Sequence, residues 1–190
     1  MSERYQVVIN NDNFPKNIPI NTKKRIDMLT FNERVNIGIN IIKDKLARYD
    51  PSFVQIKMSG TNDPGVYNKL INDISELKSM SLVFRLNNSG PHDPGGASIH
   101  EISPGKFAEP QTSWIVDGVY KNLDWPFRVT LEEAFQLKLE HGYTSSFWYV
   151  QAQKLLAPKH TIVRKSCFVF LQCDESKIFI DALTKEVVKR

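Results

Sequence analysis

The stretch Cys167-Phe168-Val169-Phe170-Leu171-Gln172-Cys173-Asp174-Glu175-Ser176-Lys177-Ile178-Phe179-Ile180 decides the fold class. Two apolar runs rich in β-branched and aromatic residues flank the polar Asp174-Glu175-Ser176, so the chain is expected to double back as a β-hairpin. Along the first strand Cys167, Val169, Leu171 and Cys173 share one face, and both cysteines read as packing residues. Six residues of strand hold the two cysteines about 20 Å apart, beyond the roughly 7 Å that a disulfide can span, so both are expected to be reduced thiols.

Working upstream, Ile162-Val163-Arg164 and Phe147-Trp148-Tyr149-Val150 read as further strands, the latter running toward Leu156 and closed by Pro158. Before them Thr130-Leu131-Glu132-Glu133 has the capping-box form, in which hydroxyl and carboxylate each satisfy a free amide, and opens a helix from Leu131 to about Glu140. Thr30-Phe31-Asn32-Glu33 has the same form. Val35, Ile39, Ile42, Leu46 and Tyr49 follow on one helical stripe that Pro51 ends, with Gly38 inside it as a sign of close packing. Ser52–Met58 alternates like a strand, and Asp63-Pro64 leads into an expected second helix marked by Val66, Leu70, Ile74 and Leu77. Ser81–Leu86 reads as another strand and Tyr5–Ile9 as an opening one. Helices and strands in mixed order, without an internal repeat, indicate an α+β fold: a mainly antiparallel sheet with about three packed helices.

The whole chain, 1–190, reads as a single globular domain. Its apolar runs are far shorter than the roughly 20 residues needed to cross a bilayer, and Met1-Ser2-Glu3-Arg4-Tyr5-Gln6 has no secretory pattern, so a soluble, cytoplasmic protein is expected. The net charge of +4 is spread along the chain, which argues against nucleic acid as the partner and leaves only a weak binder of it as an alternative.

Residues 87–113 change character: Gly90-Pro91, Asp93-Pro94-Gly95-Gly96 and Pro104-Gly105 crowd one segment, which reads as a long surface loop and the natural place for a site. Within it His92, His100 and Glu101 offer imidazoles and a carboxylate for acid–base work or a metal-dependent reaction, although their spacing matches no zinc motif and no cofactor is implied. The glycines do not form a phosphate loop, since Phe107 stands after Lys106 where Ser or Thr is required. Aromatic residues gather around Trp114, Trp125 and Trp148, and the run Phe147-Trp148-Tyr149 cannot bury every ring on one face of a strand because successive side chains point to opposite sides, which leaves one face for a partner or a covering helix.

Two resemblances add to this reading. Arg85 on a strand, Thr144-Ser145-Ser146 before an aromatic strand and a late Glu175 or Glu186 are similar to the Arg, Ser-Thr-Ser, Glu order of ADP-ribosyltransferases. That resemblance implies Arg85 holding NAD phosphates and the glutamate assisting transfer. The C-terminal third, with Leu131-Glu132-Glu133-Ala134 and Ile180-Asp181-Ala182-Leu183-Thr184-Lys185-Glu186-Val187-Val188, resembles a PepSY-type unit, a helix laid on a small sheet, with Lys185 where that family has Gly. The function expected from the residues is a non-enzymatic binding or accessory protein that contacts a protein partner through the 87–113 loop and nearby aromatics. The alternative is a small-substrate enzyme built on His92 and His100 or on Arg85.

Overall fold

The computed structural model describes residues 29–62, 66, 68–114, 120–155 and 165–190. The capping box at Thr30 opens α1 (Phe31–Lys45): the Glu33 amide donates to Thr30 Oγ1 at 3.3 Å and the Thr30 amide donates to Glu33 Oε2 at 2.8 Å. The stripe Val35, Ile39 and Ile42 is buried, and Gly38 lies where an added Cβ would meet Leu82 Cδ1 and the Phe107 ring. The second helix, α2 (Leu131–Glu140), starts at Thr130, whose hydroxyl accepts the Glu133 amide at 3.1 Å.

Among the described residues ten strands form one sheet, and their pairings are antiparallel. They are β1 (Pro51–Ser59), β2 (Ser79–Leu86), β3 (Gly96–Ser103), β4 (Lys106–Phe107), β5 (Gln111–Ser113), β6 (Tyr120–Lys121), β7 (Phe147–Leu155), β8 (Ser166–Gln172), β9 (Lys177–Asp181) and β10 (Val187–Lys189). The order across the sheet is β10-β9-β8-β7-β1-β2-β3-β4, with β5 beside β3 and β6 beside β7. The α+β class and the C-terminal hairpin therefore agree with the sequence, and α2 packs against β9. Lys185, in the turn before β10, takes a left-handed φ of 67°.

The two faces of the sheet differ row by row. Through the strand register, Val187, Ile180, Phe168, Ala152, Ile56, Leu82 and Ile99 lie side by side, apolar throughout. This face carries α1 and α2 and closes the main core, in which Phe31, Phe127 and Phe168 meet, as do Phe135, Phe147 and Phe170. The neighbouring row, on the opposite face, runs Val188, Phe179, Val169, Gln151, Lys57, Ser81, His100. It is apolar over β8–β10 and polar over β7, β1, β2 and β3. A one-residue step in sequence separates the two rows because side chains alternate across a strand.

Four expectations are corrected. Residues 87–113 are not one long loop: β3, β4 and β5 occupy 13 of the 27, and 87–95 and the short connections between strands make up the rest. The Gly and Pro residues mark hairpin ends, and the strand between them, Ala97-Ser98-Ile99-His100-Glu101-Ile102, alternates as a strand should. The helix expected around Val66–Leu77 is a short 3-10 helix, Ile74–Glu76, capped by Asp73, because Ile71 is drawn into a bridge with Phe147 and fully buried. Two α-helices rather than about three are present among the described residues. Cys167 is buried within β8, but Cys173 lies past its end and is exposed, so the cysteines do not share a role. The strands read at Tyr5–Ile9 and Ile162–Arg164 and the helix start Asp63-Pro64 fall outside the described residues.

Candidate binding surface

The turn between β2 and β3 is held from several sides. Tyr49, buried, donates its hydroxyl to Asp93 Oδ1 at 3.3 Å, while Asp93 Oδ2 accepts the Gly90 amide at 3.1 Å. Ser89 Oγ donates to Pro94 O at 2.6 Å, and Asn87 Nδ2 to Asp50 O at 2.8 Å and Ser52 Oγ at 2.7 Å. Arg48 stacks over the Tyr49 ring, 4.3 Å from its centroid. The turn is thus an ordered ledge at one end of the sheet.

Beside this ledge β5 pairs with β3 through Gly96, Ala97 and Ser98, and all three β5 residues are exposed. Trp114 follows directly. Its carbonyl oxygen lies 3.1 Å from where a Cβ on Gly95 would stand, so a side chain at Gly95 would crowd it. The Trp114 side chain is 71% exposed, unusual for a residue that mostly buries its large ring. Pro110, which has no amide hydrogen, immediately precedes β5.

The other two tryptophans have structural work. Trp125 packs edge-on against Phe127 at 4.9 Å, Phe53 at 5.8 Å and Phe31 at 6.3 Å between ring centroids, and its Nε1–H donates to Asn36 Oδ1 at 2.8 Å. Trp148 is half-buried in β7 at the irregularity between Phe147 and Tyr149. Only Trp114, of the three, presents its ring.

The catalytic candidates do not converge. His92 is exposed on the turn, whereas His100 lies four residues past the start of β3, about 13 Å of strand. Glu101 points to the opposite face from His100 and is engaged by Arg34, whose Nε donates to Oε1 at 2.8 Å and Nη2 to Oε2. Among the described residues no group of three or more His, Cys, Asp and Glu side chains is placed to hold a metal.

The ADP-ribosyltransferase constellation is likewise dispersed. Arg85 pairs with Ser52 and Gly96 at one end of the sheet; Ser146, at the other, accepts the Cys173 amide on its carbonyl at 3.0 Å and donates its hydroxyl to Asn72 Oδ1 at 2.6 Å. Glu175 sits in the β8–β9 turn at the Ser146 end, and Glu186 lies 3.8 Å from Lys165. Arg85 is therefore separated from both the serines and Glu175 by the length of the strands.

The register reveals a group that local reading missed. On the second face Ser81 Oγ lies 2.7 Å from His100 Nδ1, and Lys57 flanks Ser81 from the other side. Next to them Gln55 Nε2 donates to Gln153 Oε1 at 3.1 Å, so the buried amides satisfy one another. The available signal was the alternation itself: Lys57, Ser81 and His100 are all on the polar side of their strands. Cys167, on the apolar half of that face, is no nucleophile, because burial and then the charge of Asp181 push its thiol up to about 12. No helix among the described residues is long and apolar enough to cross a membrane.

In comparisons with known proteins, no protein family, no curated protein and no solved structure matches this chain.

Proposed function

We propose that this chain is a binding or accessory protein that offers the β5 edge and Trp114 to a partner protein bearing an apolar pocket. The observation that carries this reading is the 71% exposure of Trp114 on an ordered edge. A large exposed ring directly after a paired strand offers much contact area to a partner's pocket, and tryptophan is enriched among residues that dominate interface energies.

The test is affinity capture with the full chain, wild type against Trp114→Ala and Trp148→Ala. A partner retained by wild type and Trp148→Ala, and bound at least tenfold more weakly by Trp114→Ala with unchanged thermal stability, supports the reading. Capture that is indifferent to Trp114 overturns it.

A further inference from the structure

We infer that β5 is the strand through which two copies of this chain pair, edge to edge about a two-fold axis at Thr112. The pairing uses the contact surface proposed above and rests on that reading of the edge; a copy seated there withholds Trp114 from any other partner. Among the described residues four strands, β4, β5, β6 and β10, are paired on one side only. Three of them carry a lysine, Lys106, Lys121 and Lys189, the residue type that keeps an open edge from meeting another. β5 carries none. From Pro110 to Trp114 there is no charged side chain, and the adjoining Glu109 carboxylate already accepts Lys45 Nζ at 2.6 Å. That difference points to a second copy as the occupant: about a two-fold axis each residue near the centre meets its own mate, so a charged edge repels itself and an uncharged one does not.

The alternation of backbone hydrogen bonds fixes what this edge offers. The Leu86 amide donates to Gly95 O at 3.0 Å, so Gly95, Ala97 and Ile99 turn their amides and carbonyls toward β2. Gly96, Ser98 and His100 turn theirs the other way, in keeping with the Ala108 amide that donates to His100 O at 2.8 Å. Ser113 and Gln111, the partners of Gly96 and Ser98, are therefore bonded to β3, and between them the amide and carbonyl of Thr112 point outward from the sheet. With Thr112 facing its mate, the two copies exchange two backbone hydrogen bonds at the axis. Two positions away Pro110 falls opposite Trp114 of the second copy. Pro110 brings no amide to be stranded there, and the Trp114 ring, 71% exposed in one copy, gains an apolar neighbour. The contact is short, so the association is expected to depend on concentration.

The experiment is sedimentation velocity of the full chain from about 1 μM to about 1 mM, the span in which weak complexes form. The wild type should pass from monomer to dimer. Thr112→Lys sets like charges face to face, and Thr112→Pro removes the outward amide without costing a bond to β3; each should weaken the dimer at least tenfold at unchanged thermal stability. Ile102→Ser, which removes an apolar side chain 72% exposed elsewhere on β3, should leave it intact. With the exposed Cys173 replaced by serine, Thr112→Cys should form a disulfide between copies on mild oxidation, because opposed residues of a hydrogen-bonded pair lie about 5.5 Å apart. A wild type that stays monomeric throughout overturns the inference, and this needs no variant to fold. A dimer that Thr112→Lys leaves intact, that Ile102→Ser dissolves, or that Thr112→Cys does not crosslink overturns it as well. Sedimentation involves no other protein, so a monomeric result leaves the Trp114 capture test standing, and a failed capture leaves the dimer standing.

Discussion

Arg34 on α1 grips Glu101 on β3 with two donors, Nε to Oε1 at 2.8 Å and Nη2 to Oε2, and the same Oε1 accepts the Gly105 amide at 2.8 Å. The pair fastens the helix to the strand and shapes the β3–β4 hairpin through one carboxylate. The Glu101 side chain is 3% exposed and that of Arg34 28%, so the two ends are not equivalent. Arg34→Met strands the buried carboxylate and should cost about 3 kcal/mol, the range found for breaking buried pairs. Glu101→Gln leaves an arginine that water can reach and should cost less. Urea unfolding of both variants checks the order.

Gly38 tests helix packing against helix propensity. Alanine in a helix interior gains about 1 kcal/mol over glycine, but here its methyl group would meet Leu82 Cδ1 and come 2.9 Å from Phe107 Cζ. Overpacking of this kind costs about 1–3 kcal/mol, so Gly38→Ala is expected to lower stability despite the better helix former. A rise in melting temperature would refute close packing at this crossing.

Asp181 carries a pH dependence of stability. Burial raises its carboxyl, but hydrogen bonds from the Thr184 and Leu183 amides, each 2.8 Å, and the Lys165 ammonium at 3.0 Å outweigh it, leaving the group below its ordinary 3.8. A carboxyl depressed in the folded state contributes stability above 3.8 that is lost as the pH falls through the folded value. The stability gap between wild type and Asp181→Asn should therefore be widest near neutrality and narrow in acid. Denaturation curves at several pH values measure it.

The two cysteines should separate cleanly. Cys173 is exposed, whereas the Cys167 thiol is buried and pushed up to about 12. At mildly alkaline pH a thiol reagent should modify Cys173 rapidly in the native protein and Cys167 only after unfolding. Two fast thiols in the folded state would contradict the covered position of Cys167 on the second face.

What the sequence by itself determined was local. The Thr30 and Thr130 caps, the stripe Val35, Ile39 and Ile42, and the turn Asp174-Glu175-Ser176 are interactions within one segment, so residue type and spacing suffice to place them. Antiparallel α+β architecture followed from them. Tertiary structure decided the rest. Ala97–Ile102 became a strand because β2 and β5 pair with it, although surrounding Gly and Pro made the region read as loop. Ile71 was taken by Phe147 before a helix could use it. The tryptophans divided according to what packs on them: Trp125 found three phenylalanine rings and an asparagine acceptor, while Trp114 kept its ring in solvent. The Ser81–His100 pair, nineteen positions apart in sequence, exists only because β2 and β3 adopt one register; slipping it by a single residue would put the two side chains on opposite faces. Caps and stripes are properties of one segment, but pairing and burial are relations between segments, and those are settled only when the chain closes its core.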